Sequence, residues 1–398
     1  MRQLWIRGIA DLNLISASRC TYSVRRFRLQ GERLPKSIKI ELEYNDKTDN
    51  SLEEIRLPNE IRRDYLLNRY AIIASERVRR PTDFSVPSVK EAEETCPFCA
   101  GNESATPPAD LVLLQKEGKI IQSRDENHIR LKDWRVRCFP NLYPALSPTI
   151  LKMAKPDPFT VRRWSYGYHE VVVESPNHLD HPSQAPTEQI QLSLKAILSL
   201  LNRYYQDKKI KYVQVFRNHR KEAGASLSHP HSQIIALPFT PSNIRFELAA
   251  ARRHFETKEQ CIFCKIIEEE LDSQRKIYEN DHFFMFSPWA SILPFEFWVI
   301  PKRHEPRLEN ITPEETTDLA TTLKKGLTGL SQLLHDPPYN YGFHTSPSKS
   351  RSEFYHWHLE VYPKLSTPAG FELSTGVYIN VTPPELAAES LRQLVVGE

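Results

Sequence analysis

The residues most able to do chemistry in this chain form two short motifs, and each motif occurs twice. The cysteine pairs are Cys96 with Cys99 and Cys261 with Cys264, and the histidine pairs are His229 with His231 and His356 with His358. Structural zinc is held by four thiolate or imidazole ligands, commonly two of each. Redox dithiols also use Cys-x-x-Cys, but there the pair opens a helix after a strand, which we do not expect here. The motifs therefore predict metal binding before thiol chemistry.

Two further histidines complete each set and indicate an internal repeat. The step along the chain from His178 to His229 equals, to within one residue, the step from His304 to His356. Equal steps between equivalent residues are typical of duplicated units. The predicted ligands of two structural zinc ions (Zn²⁺) are Cys96, Cys99, His178 and His229 in the first half and Cys261, Cys264, His304 and His356 in the second. The alternative is that the histidines are ordinary core or surface residues.

Each half is predicted to have a strand that ends at its first histidine, His178 or His304, then a helix and a second strand before the His-x-His motif. Apolar residues recur there at steps of three and four, which predicts two amphipathic helices. These residues are Ile190, Leu194, Ile197, Leu198 and Leu201, and then Leu319, Leu323, Leu327 and Leu330. Thr312, Pro313 and Glu315 predict the start of the second helix as N-cap, first-turn proline and capping-box glutamate. The expected fold is α+β, with an antiparallel sheet and covering helices in each half.

The repeat also predicts the domain boundaries. Residues 1–57 stand outside it and form an N-terminal extension of unknown role. Ile38, Ile40, Leu42 and Tyr44 alternate with other residues there, which predicts one strand. We expect the first unit, which contains the His-Pro-His motif, at 58–240 and the second unit at 241–398.

His231 is the candidate catalytic residue because of the residues around it. Residues i and i+2 of a strand share a face, so His231 and Gln233 lie on the face of His229. The small segment Gly224-Ala225-Ser226 lets backbone N–H groups approach an anion such as phosphate. Imidazole is a good nucleophile near neutral pH and forms phosphoramidates. The pattern predicts attack of His231 on phosphorus, with Gln233 donating a hydrogen bond to a phosphate oxygen.

Composition excludes several classes of protein. The chain has 53 Lys and Arg against 50 Asp and Glu, so no bulk positive charge favours nucleic acid or an anionic membrane. No apolar run approaches the ~18 residues of a membrane helix. The 12 glycines and 30 prolines favour short strands ended by turns over a glycine-rich dinucleotide fold. The first residues lack an uninterrupted apolar region typical of export signals, so we expect a cytoplasmic protein with free thiols.

Four segments resemble the galactose-1-phosphate uridylyltransferase family, a nucleotidyltransferase branch of the histidine-triad superfamily. They are CPFCAGNESATPP (96–108), FPNLYPAL (139–146), GASLSHPHSQIIALP (224–238) and HWHLEVYP (356–363). The segments CIFCKIIEEELDSQRKIYENDHFFMF (261–286) and VIPKRH (299–304) also resemble small histidine-triad nucleotide hydrolases. The resemblance covers about residues 60 to 395. It implies two tandem histidine-triad-like units.

The resemblance implies a ping-pong reaction. His231 matches the family's nucleophile, which attacks the α-phosphorus of UDP-glucose, releases glucose 1-phosphate and becomes a uridylyl-histidine. Galactose 1-phosphate then attacks that intermediate to give UDP-galactose. Gln233 matches the family's phosphate-binding glutamine. The candidate substrate-binding residues are Arg77, Arg80, Asn141, Asn218, Gly224, Ala225, Ser226, Gly370, Phe371 and Glu372. The last three match a sugar-contacting loop that the family contributes across a homodimer.

The second cysteine pair departs from family members that bind a second metal through a carboxylate and several histidines. The chain is more similar to members with two Cys/His zinc sites, including plant-type relatives that act on ADP-glucose. Two enzymatic predictions therefore stand: a UDP-glucose:hexose-1-phosphate uridylyltransferase and, as the alternative, an ADP-glucose phosphorylase. His344 and His358 receive no ligand role, although His358 occupies the nucleophile's position in the second half. A zinc-ribbon module that binds nucleic acid is a third hypothesis, against which the near-neutral charge argues.

Overall fold

Most of the predicted motifs lie in or beside one large antiparallel sheet. The computed structural model describes residues 59–67, 69–74, 96–126, 128–149, 165–347 and 352–395. The extension 1–57, its predicted strand at 38–44, and Arg77 and Arg80 lie outside the described residues. The strands are β1 (Glu60–Arg63), β2 (Tyr70–Ile73), β3 (Leu111–Lys116), β4 (Lys119–Ser123), β5 (Trp134–Pro140), β6 (Tyr168–Val173), β7 (Tyr212–His219), β8 (His231–Leu237), β9 (Lys276–Glu279), β10 (Phe283–Phe286), β11 (Phe297–Pro301), β12 (Tyr339–His344), β13 (His358–Pro363) and β14 (Tyr378–Asn380).

The large sheet has eleven described strands, and its centre joins the two halves of the chain. The strand order is β4-β3-β5-β6-β8-β7-β12-β13-β11-β10-β9. The central strands β7 and β12 pair antiparallel, with Asn218 opposite Asn340. Outward from this pair, β8 and β6 on one side correspond in chain order to β13 and β11 on the other. The predicted α+β class with an extended antiparallel sheet is confirmed.

Six described helices accompany the sheet. They are α1 (Thr187–Gln206), α2 (Ser242–Lys258), α3 (Ile262–Glu270), α4 (Pro313–Leu334), α5 (Gly370–Thr375) and α6 (Pro384–Val395). The predicted stripes on α1 and α4 lie in the main core, where only Leu198 is partly buried. This packing confirms both helix predictions, because a stripe at helical spacing gains stability only by leaving water. None of the described helices combines the length and the apolar character that crossing a membrane requires.

The start of α4 has the predicted capping box. The backbone N–H of Glu315 donates to the Thr312 hydroxyl at 3.2 Å, and the Glu315 carboxylate accepts from the Thr312 N–H at 2.8 Å. Two N–H groups that have no partner inside the helix are thereby satisfied. Pro313 occupies the first turn, where its missing N–H costs nothing.

A small second sheet is fastened to the second half of the chain. Strand β2 pairs antiparallel with β1 and parallel with β14. The guanidinium of Arg62 in β1 lies 4.0 Å from the centroid of the Trp289 ring and bonds the Glu385 carboxylate at 2.9 Å. A buried arginine with both a ring face and a carboxylate has its charge compensated.

The second cysteine pair does not open a helix after a strand, which agrees with the expectation from the sequence. Cys261 is the N-cap of α3, so this pair does open a helix. The element before it is α2 rather than a strand, and the thioredoxin-like arrangement is therefore absent from this part of the described chain. The Phe263 ring between the two cysteines is buried in a cluster with Phe284, Phe286 and Trp298.

Glu103 anchors the loop that follows the first cysteine pair, and it gives the fold an acid-sensitive contact. Burial alone would raise its pKa, but hydrogen bonds from Lys132, the Gly101 N–H and the Trp134 indole lower the pKa to about 2. Because the folded-state pKa lies below the ordinary value of 4.5, the stabilisation is complete above pH 4.5 and is lost as the pH falls toward 2.

We expect Glu103→Gln to lower the free energy of unfolding by roughly 2–3 kcal/mol at pH 7. Urea titrations of the wild type and the variant across pH 3 to 7 measure this difference. The gap should shrink steadily below pH 4.5, and a gap that stays constant with pH would show that the carboxylate's charge is not the cause.

Candidate active site and metal sites

His231 begins strand β8 on the sheet face away from α1. Side chains alternate along a strand, so Ile234 and Ala236 point into the main core while His231 and Gln233 point to the opposite face. The His231 Nδ1 atom lies 2.8 Å from the backbone oxygen of His229. An oxygen acceptor requires the proton on Nδ1, so the lone pair is on Nε2. Burial lowers the pKa of His231, which keeps the ring neutral and nucleophilic.

Phe98 fixes the position of the His231 ring from the side. This residue lies between the first two cysteines, and its ring contacts those of His229 and His231 edge to face at centroid distances of 6.1 and 5.4 Å. Phe139 packs on Phe98 at 5.6 Å. The cysteine loop therefore serves the candidate nucleophile as well as the predicted metal ligands.

A buried ion pair lies beneath the His231 backbone. The Glu174 carboxylate accepts hydrogen bonds from the Arg217 guanidinium and, at 2.5 Å, from the Ser232 hydroxyl. The same Arg217 Nη1 donates to the His231 carbonyl at 3.3 Å. Both side chains of the ion pair are almost fully buried, so each charge depends on the other for compensation.

We expect Glu174→Gln to destabilise the protein by about 3–5 kcal/mol, because it leaves the Arg217 charge buried without a counter-ion. The exposed Glu188 on α1 provides a matched control, and Glu188→Gln should change stability by no more than about 0.5 kcal/mol. Chemical denaturation at pH 7 measures both. Equal effects of the two substitutions would contradict the role assigned to Glu174.

The structure brings the four predicted ligands of the first half together. The Cys99 Sγ atom lies 3.3 Å from His178 Nδ1 and 3.5 Å from His229 Nδ1, and the Cys96 thiol belongs to the same group. The outer nitrogens are also engaged, since His229 Nε2 lies 2.8 Å from the Ser175 carbonyl and His178 Nε2 lies 2.9 Å from the Ser228 hydroxyl. These outer contacts direct both Nδ1 atoms toward the thiols.

The second half gathers its four predicted ligands in the same way. The Cys264 Sγ atom lies 3.3 Å from His304 Nδ1 and 3.7 Å from His356 Nδ1, and Cys261 completes the group. As in the first half, a phenylalanine between the cysteines packs against the histidines, with Phe263 4.9 Å from the His358 ring centroid.

Both groups fit tetrahedral zinc. Their ligand atoms all lie within 4.8 Å of one another. Zinc–sulfur bonds of about 2.3 Å and zinc–nitrogen bonds of about 2.0 Å place tetrahedral ligand atoms about 3.3–3.8 Å apart. The thiol-to-imidazole distances above match this geometry. Burial lowers the pKa of His229 to about 4, which favours the neutral form that a metal ligand must have.

His169 contacts both Gln233 and Asn141, and its residue type and spacing give no sign of this role. His169 in β6 lies on the same sheet face as Gln233, and its Nε2 atom is 2.8 Å from Gln233 Oε1. The backbone N–H of Asn141 donates to the His169 carbonyl at 2.8 Å. The only signal for His169 in the sequence is its position in the strand that leads to His178.

Asn218 is held by the second half of the chain. Its Oδ1 atom accepts a hydrogen bond of 2.8 Å from Asn340, which also donates to the Ala223 carbonyl at 2.7 Å. The Asn218 amide donates to the Gly224 carbonyl at 3.4 Å. Asn340 therefore connects the central strand pair to the small segment 224–226, a role that its residue type and position in the sequence do not reveal.

The small segment offers less backbone to an anion than its residue types suggest. The Gly224 N–H donates to the Lys221 carbonyl and the Ala225 N–H to the Arg220 carbonyl, at 2.9 and 3.0 Å. Gly224 has φ of +91°, the left-handed conformation that glycine adopts without strain. Ser226 follows on the exposed surface. The first two N–H groups shape the loop and do not point at a ligand.

The predicted sugar-contacting residues form the start of the short helix α5. Glu372 accepts a hydrogen bond from the Ala369 N–H at 2.9 Å, which caps the helix, and Phe371 is 45% exposed. Among the described residues, no hydrogen bond or ion pair connects Gly370, Phe371 or Glu372 with His231.

The second His-x-His motif differs from the first at the position of the glutamine. The His358 Nδ1 atom lies 3.1 Å from the His356 carbonyl, as in the first half, but its Nε2 atom lies 3.2 Å from a Glu360 carboxylate oxygen. Glu360 stands where Gln233 stands in the first half. A carboxylate at this position repels a phosphate, and His358 is fully buried against Trp298.

His344 belongs to a third cluster of titratable residues, next to this motif. Its Nδ1 atom lies 3.0 Å from the Glu247 carboxylate, and the ligand atoms of Glu247, His344 and His358 lie within 4.8 Å of one another. Burial would lower the pKa of His344, but the carboxylates of Glu247 and Glu360 raise it to about 9. The cluster is therefore an internally paired set of charges.

Comparison with known families matches two regions of the chain. Residues 123–241 match the model of the galactose-1-phosphate uridyl transferase N-terminal domain. Residues 183–397 match the model of a domain of unknown function, DUF4921. The two matches overlap at 183–241, which includes the His-Pro-His motif.

Curated relatives and solved structures match most of the described chain. ADP-glucose phosphorylase from Arabidopsis thaliana is 36% identical over 84% of this chain and 93% of its own length. Galactose-1-phosphate uridylyltransferase from Thermotoga maritima is 30% identical over 85% of this chain and 99% of its own length. The structure of the Arabidopsis thaliana ADP-glucose phosphorylase with bound ADP-glucose has a TM-score of 0.68 at 33% identity, covering 84% of this chain and 99% of that one. A uridylyltransferase structure has a TM-score of 0.65 at 29% identity, and the match covers 84% of this chain and 98% of that one.

Proposed function

The chain belongs to the galactose-1-phosphate uridylyltransferase family of nucleotidyltransferases, and from this premise we propose that it transfers the nucleotidyl group of a nucleotide sugar through His231. The observation that carries the proposal is the hydrogen bond between His231 Nδ1 and the His229 carbonyl. It leaves Nε2 as the nucleophilic atom, on the sheet face that also carries Gln233.

The proposed reaction has two steps at one phosphorus. In the first step, His231 Nε2 attacks the α-phosphorus, a P–N bond forms, and the P–O bond to the sugar phosphate breaks to release glucose 1-phosphate. In the second step an acceptor oxygen attacks the same phosphorus and the P–N bond breaks. Gln233 donates a hydrogen bond to a phosphate oxygen as charge develops in both steps. Covalent catalysis of this kind divides one difficult transfer into two easier ones.

ADP-glucose is the donor that we propose, with inorganic phosphate as the acceptor, so that the products are ADP and glucose 1-phosphate. The greater similarity to an ADP-glucose phosphorylase than to the Thermotoga maritima uridylyltransferase supports this choice. The second Cys/His group supports it as well, because the resemblance associates two such groups with relatives that act on ADP-glucose.

UDP-glucose with galactose 1-phosphate remains the second candidate pair. The match of residues 123–241 to the uridyl transferase domain and the 30% identity to the Thermotoga maritima enzyme favour it. Both candidates use His231 in the same way and differ only in the base of the donor and in the acceptor.

We further propose that each chain holds two structural zinc ions, in the two Cys/His groups described above. The ion of the first group would be held by Cys96, Cys99, His178 and His229. Four protein ligands leave no open position for substrate, so the ion's chemical contribution is to fix the backbone from which His231 projects.

The organisation of the protein is proposed from its symmetry and surface. The matching strand order on both sides of β7 and β12 supports two tandem histidine-triad-like units with a boundary at residue 240.

The exposed side chains of Phe371 and Leu373 on α5 support a homodimer in which this helix meets the partner. Four of the five described cysteines belong to the two Cys/His groups, and a reducing compartment keeps such thiols available to a metal, which supports a cytoplasmic location.

The experiment that tests the function is intact-mass spectrometry after the protein meets one nucleotide sugar and no acceptor. We expect an adenylyl adduct with ADP-glucose and no adduct, or a slower one, with UDP-glucose. Addition of phosphate should then remove the adenylyl group as ADP. A stable adduct with UDP-glucose alone, removed by galactose 1-phosphate, would select the second candidate, and no adduct with either donor would reject both.

A further inference from the structure

We propose that His169 is a positioning residue for the transfer reaction, which turns the Gln233 carboxamide so that its NH₂ end faces the reacting phosphate. The inference rests on the proposed function, because it concerns how Gln233 meets the substrate of that reaction. It adds a residue to which no role was assigned from the sequence or by resemblance.

The hydrogen bonds around His169 determine its tautomer. The backbone N–H of Ala145 donates to His169 Nδ1 at 3.1 Å, so Nδ1 carries the lone pair. A neutral imidazole with an acceptor at Nδ1 has its proton on Nε2. The Nε2–H group is therefore a donor, and the atom that it meets at 2.8 Å is Gln233 Oε1.

The tautomer in turn determines the orientation of the carboxamide. An amide whose oxygen accepts from His169 has its NH₂ group directed away from His169. The amide of Asn141 lies 3.4 Å from His169 Nε2, too far to displace the 2.8 Å bond, and two donors do not bond each other. Without the His169 bond, the Gln233 carbonyl is free to turn toward the anionic substrate, where it repels phosphate oxygens.

Strand register places the His169 ring within hydrogen-bond distance of the Gln233 side chain. Val171 lies opposite Gln233 and His169 lies opposite Ile235, so His169 and Gln233 are diagonal neighbours on one face of β6 and β8. The segment 141–145 holds His169 from the other side, because the Ala145 N–H donates to the ring at Nδ1 and the Asn141 N–H donates to the His169 backbone carbonyl. The ring is thus fixed by two elements before any substrate binds, which is the condition for preorganised catalysis.

A double-mutant cycle on the full-length protein tests the inference. The variants are His169→Phe, Gln233→Ala and the double variant, with His169→Gln to restore an N–H donor at the Nε2 position. The measured quantity is the single-turnover rate of adduct formation with ADP-glucose and, in parallel, UDP-glucose. Zinc content and the melting temperature of each variant report on folding.

We expect His169→Phe to slow adduct formation by roughly 10- to 100-fold and Gln233→Ala by at least as much. His169→Gln should recover most of the rate. Because His169 is proposed to act through Gln233, His169→Phe should have almost no further effect in the Gln233→Ala background.

Two outcomes would overturn the inference, and they separate it from the proposed function. If wild-type protein forms the adduct but the two single effects multiply in the double variant, His169 does not act through Gln233 and the proposed function stands. If wild-type protein forms no adduct with either donor, the proposed function fails and the inference fails with it. Failure of His169→Gln to recover any rate in a folded variant would also count against the donor role.

Discussion

Replacing His231 by asparagine is expected to lower nucleotidyl transfer by on the order of 10⁴-fold or more. Asparagine retains an N–H donor near the position of Nδ1, so the bond to the His229 carbonyl can persist. It has no atom at the position of Nε2, and no covalent intermediate can form. The substitution therefore removes the nucleophile while disturbing its surroundings little. Steady-state turnover and intact-mass spectrometry with ADP-glucose measure the loss.

His358 provides the matched control because it has the same bond to the backbone two residues earlier. His358→Asn should retain turnover within about threefold, since Glu360 occupies the place of the phosphate-binding glutamine. Loss of the adduct in both variants, with zinc and fold intact, would contradict the assignment of chemistry to the first half. An adduct on His231→Asn would show that another residue is the nucleophile.

The two Cys/His groups that the structure brings together were predictable from the sequence because they depend on residue type and spacing. Cys96 and Cys99 form a Cys-x-x-Cys motif. The separation between His178 and His229 is repeated, to within one residue, in the second half. Because this spacing between histidines occurs twice, it predicts the same order of strands and helices in both halves, which a single occurrence would not. The stripes of α1 and α4 were predictable for a similar reason, since helical periodicity is local.

The residues that orient the site were not predictable, because their contacts depend on strand register. His169 meets Gln233 across 64 positions of chain, and Asn340 meets Asn218 across 122. A shift of one residue in either strand pair would turn these side chains to the other face. Nothing in the sequence around His169 or Asn340 distinguishes them from other polar residues near strand ends.

The small segment 224–226 shows that residue types alone do not predict which backbone N–H groups can bind an anion. Small residues at 224–226 indicate that backbone can approach an anion, but they do not tell which N–H groups are free. Gly224 and Ala225 use theirs to close the turn after Arg220. Composition predicts the space that a loop leaves, whereas the turn type decides where its donors point.

The difference between Gln233 and Glu360 explains why we assign the chemistry to the first His-x-His motif and not to the second. Both follow the second histidine of a His-x-His motif by two residues, and both share the face of that histidine. The amide can donate to a phosphate, while the carboxylate accepts from its own neighbours and excludes an anion. The Glu360 carboxylate instead lies 3.2 Å from His358 Nε2 and 3.8 Å from His344 Nδ1, beside the third cluster.

The first Cys/His group, where we propose one zinc ion, should have the largest effect on stability. We expect Cys99→Ala to remove one of two zinc ions and to lower the free energy of unfolding by roughly 4 kcal/mol or more, a fall in melting temperature on the order of 10 °C. Its thiol lies 3.3 and 3.5 Å from the Nδ1 atoms of His178 and His229, so both histidines lose a close partner. Activity should fall as well, because His229 connects the metal group to the His231 backbone.

Cys138→Ala is the matched control, because Cys138 lies in β5 outside both groups and is more deeply buried than Cys99. It should retain two zinc ions and cost about 1 kcal/mol. Metal analysis after gel filtration and thermal unfolding measure both quantities for both variants. If Cys99→Ala keeps two zinc ions, or has the same melting temperature as Cys138→Ala, the four-ligand assignment is wrong. A fall to one ion with the second group intact would mean that each half holds its metal independently, since the two groups share no ligand.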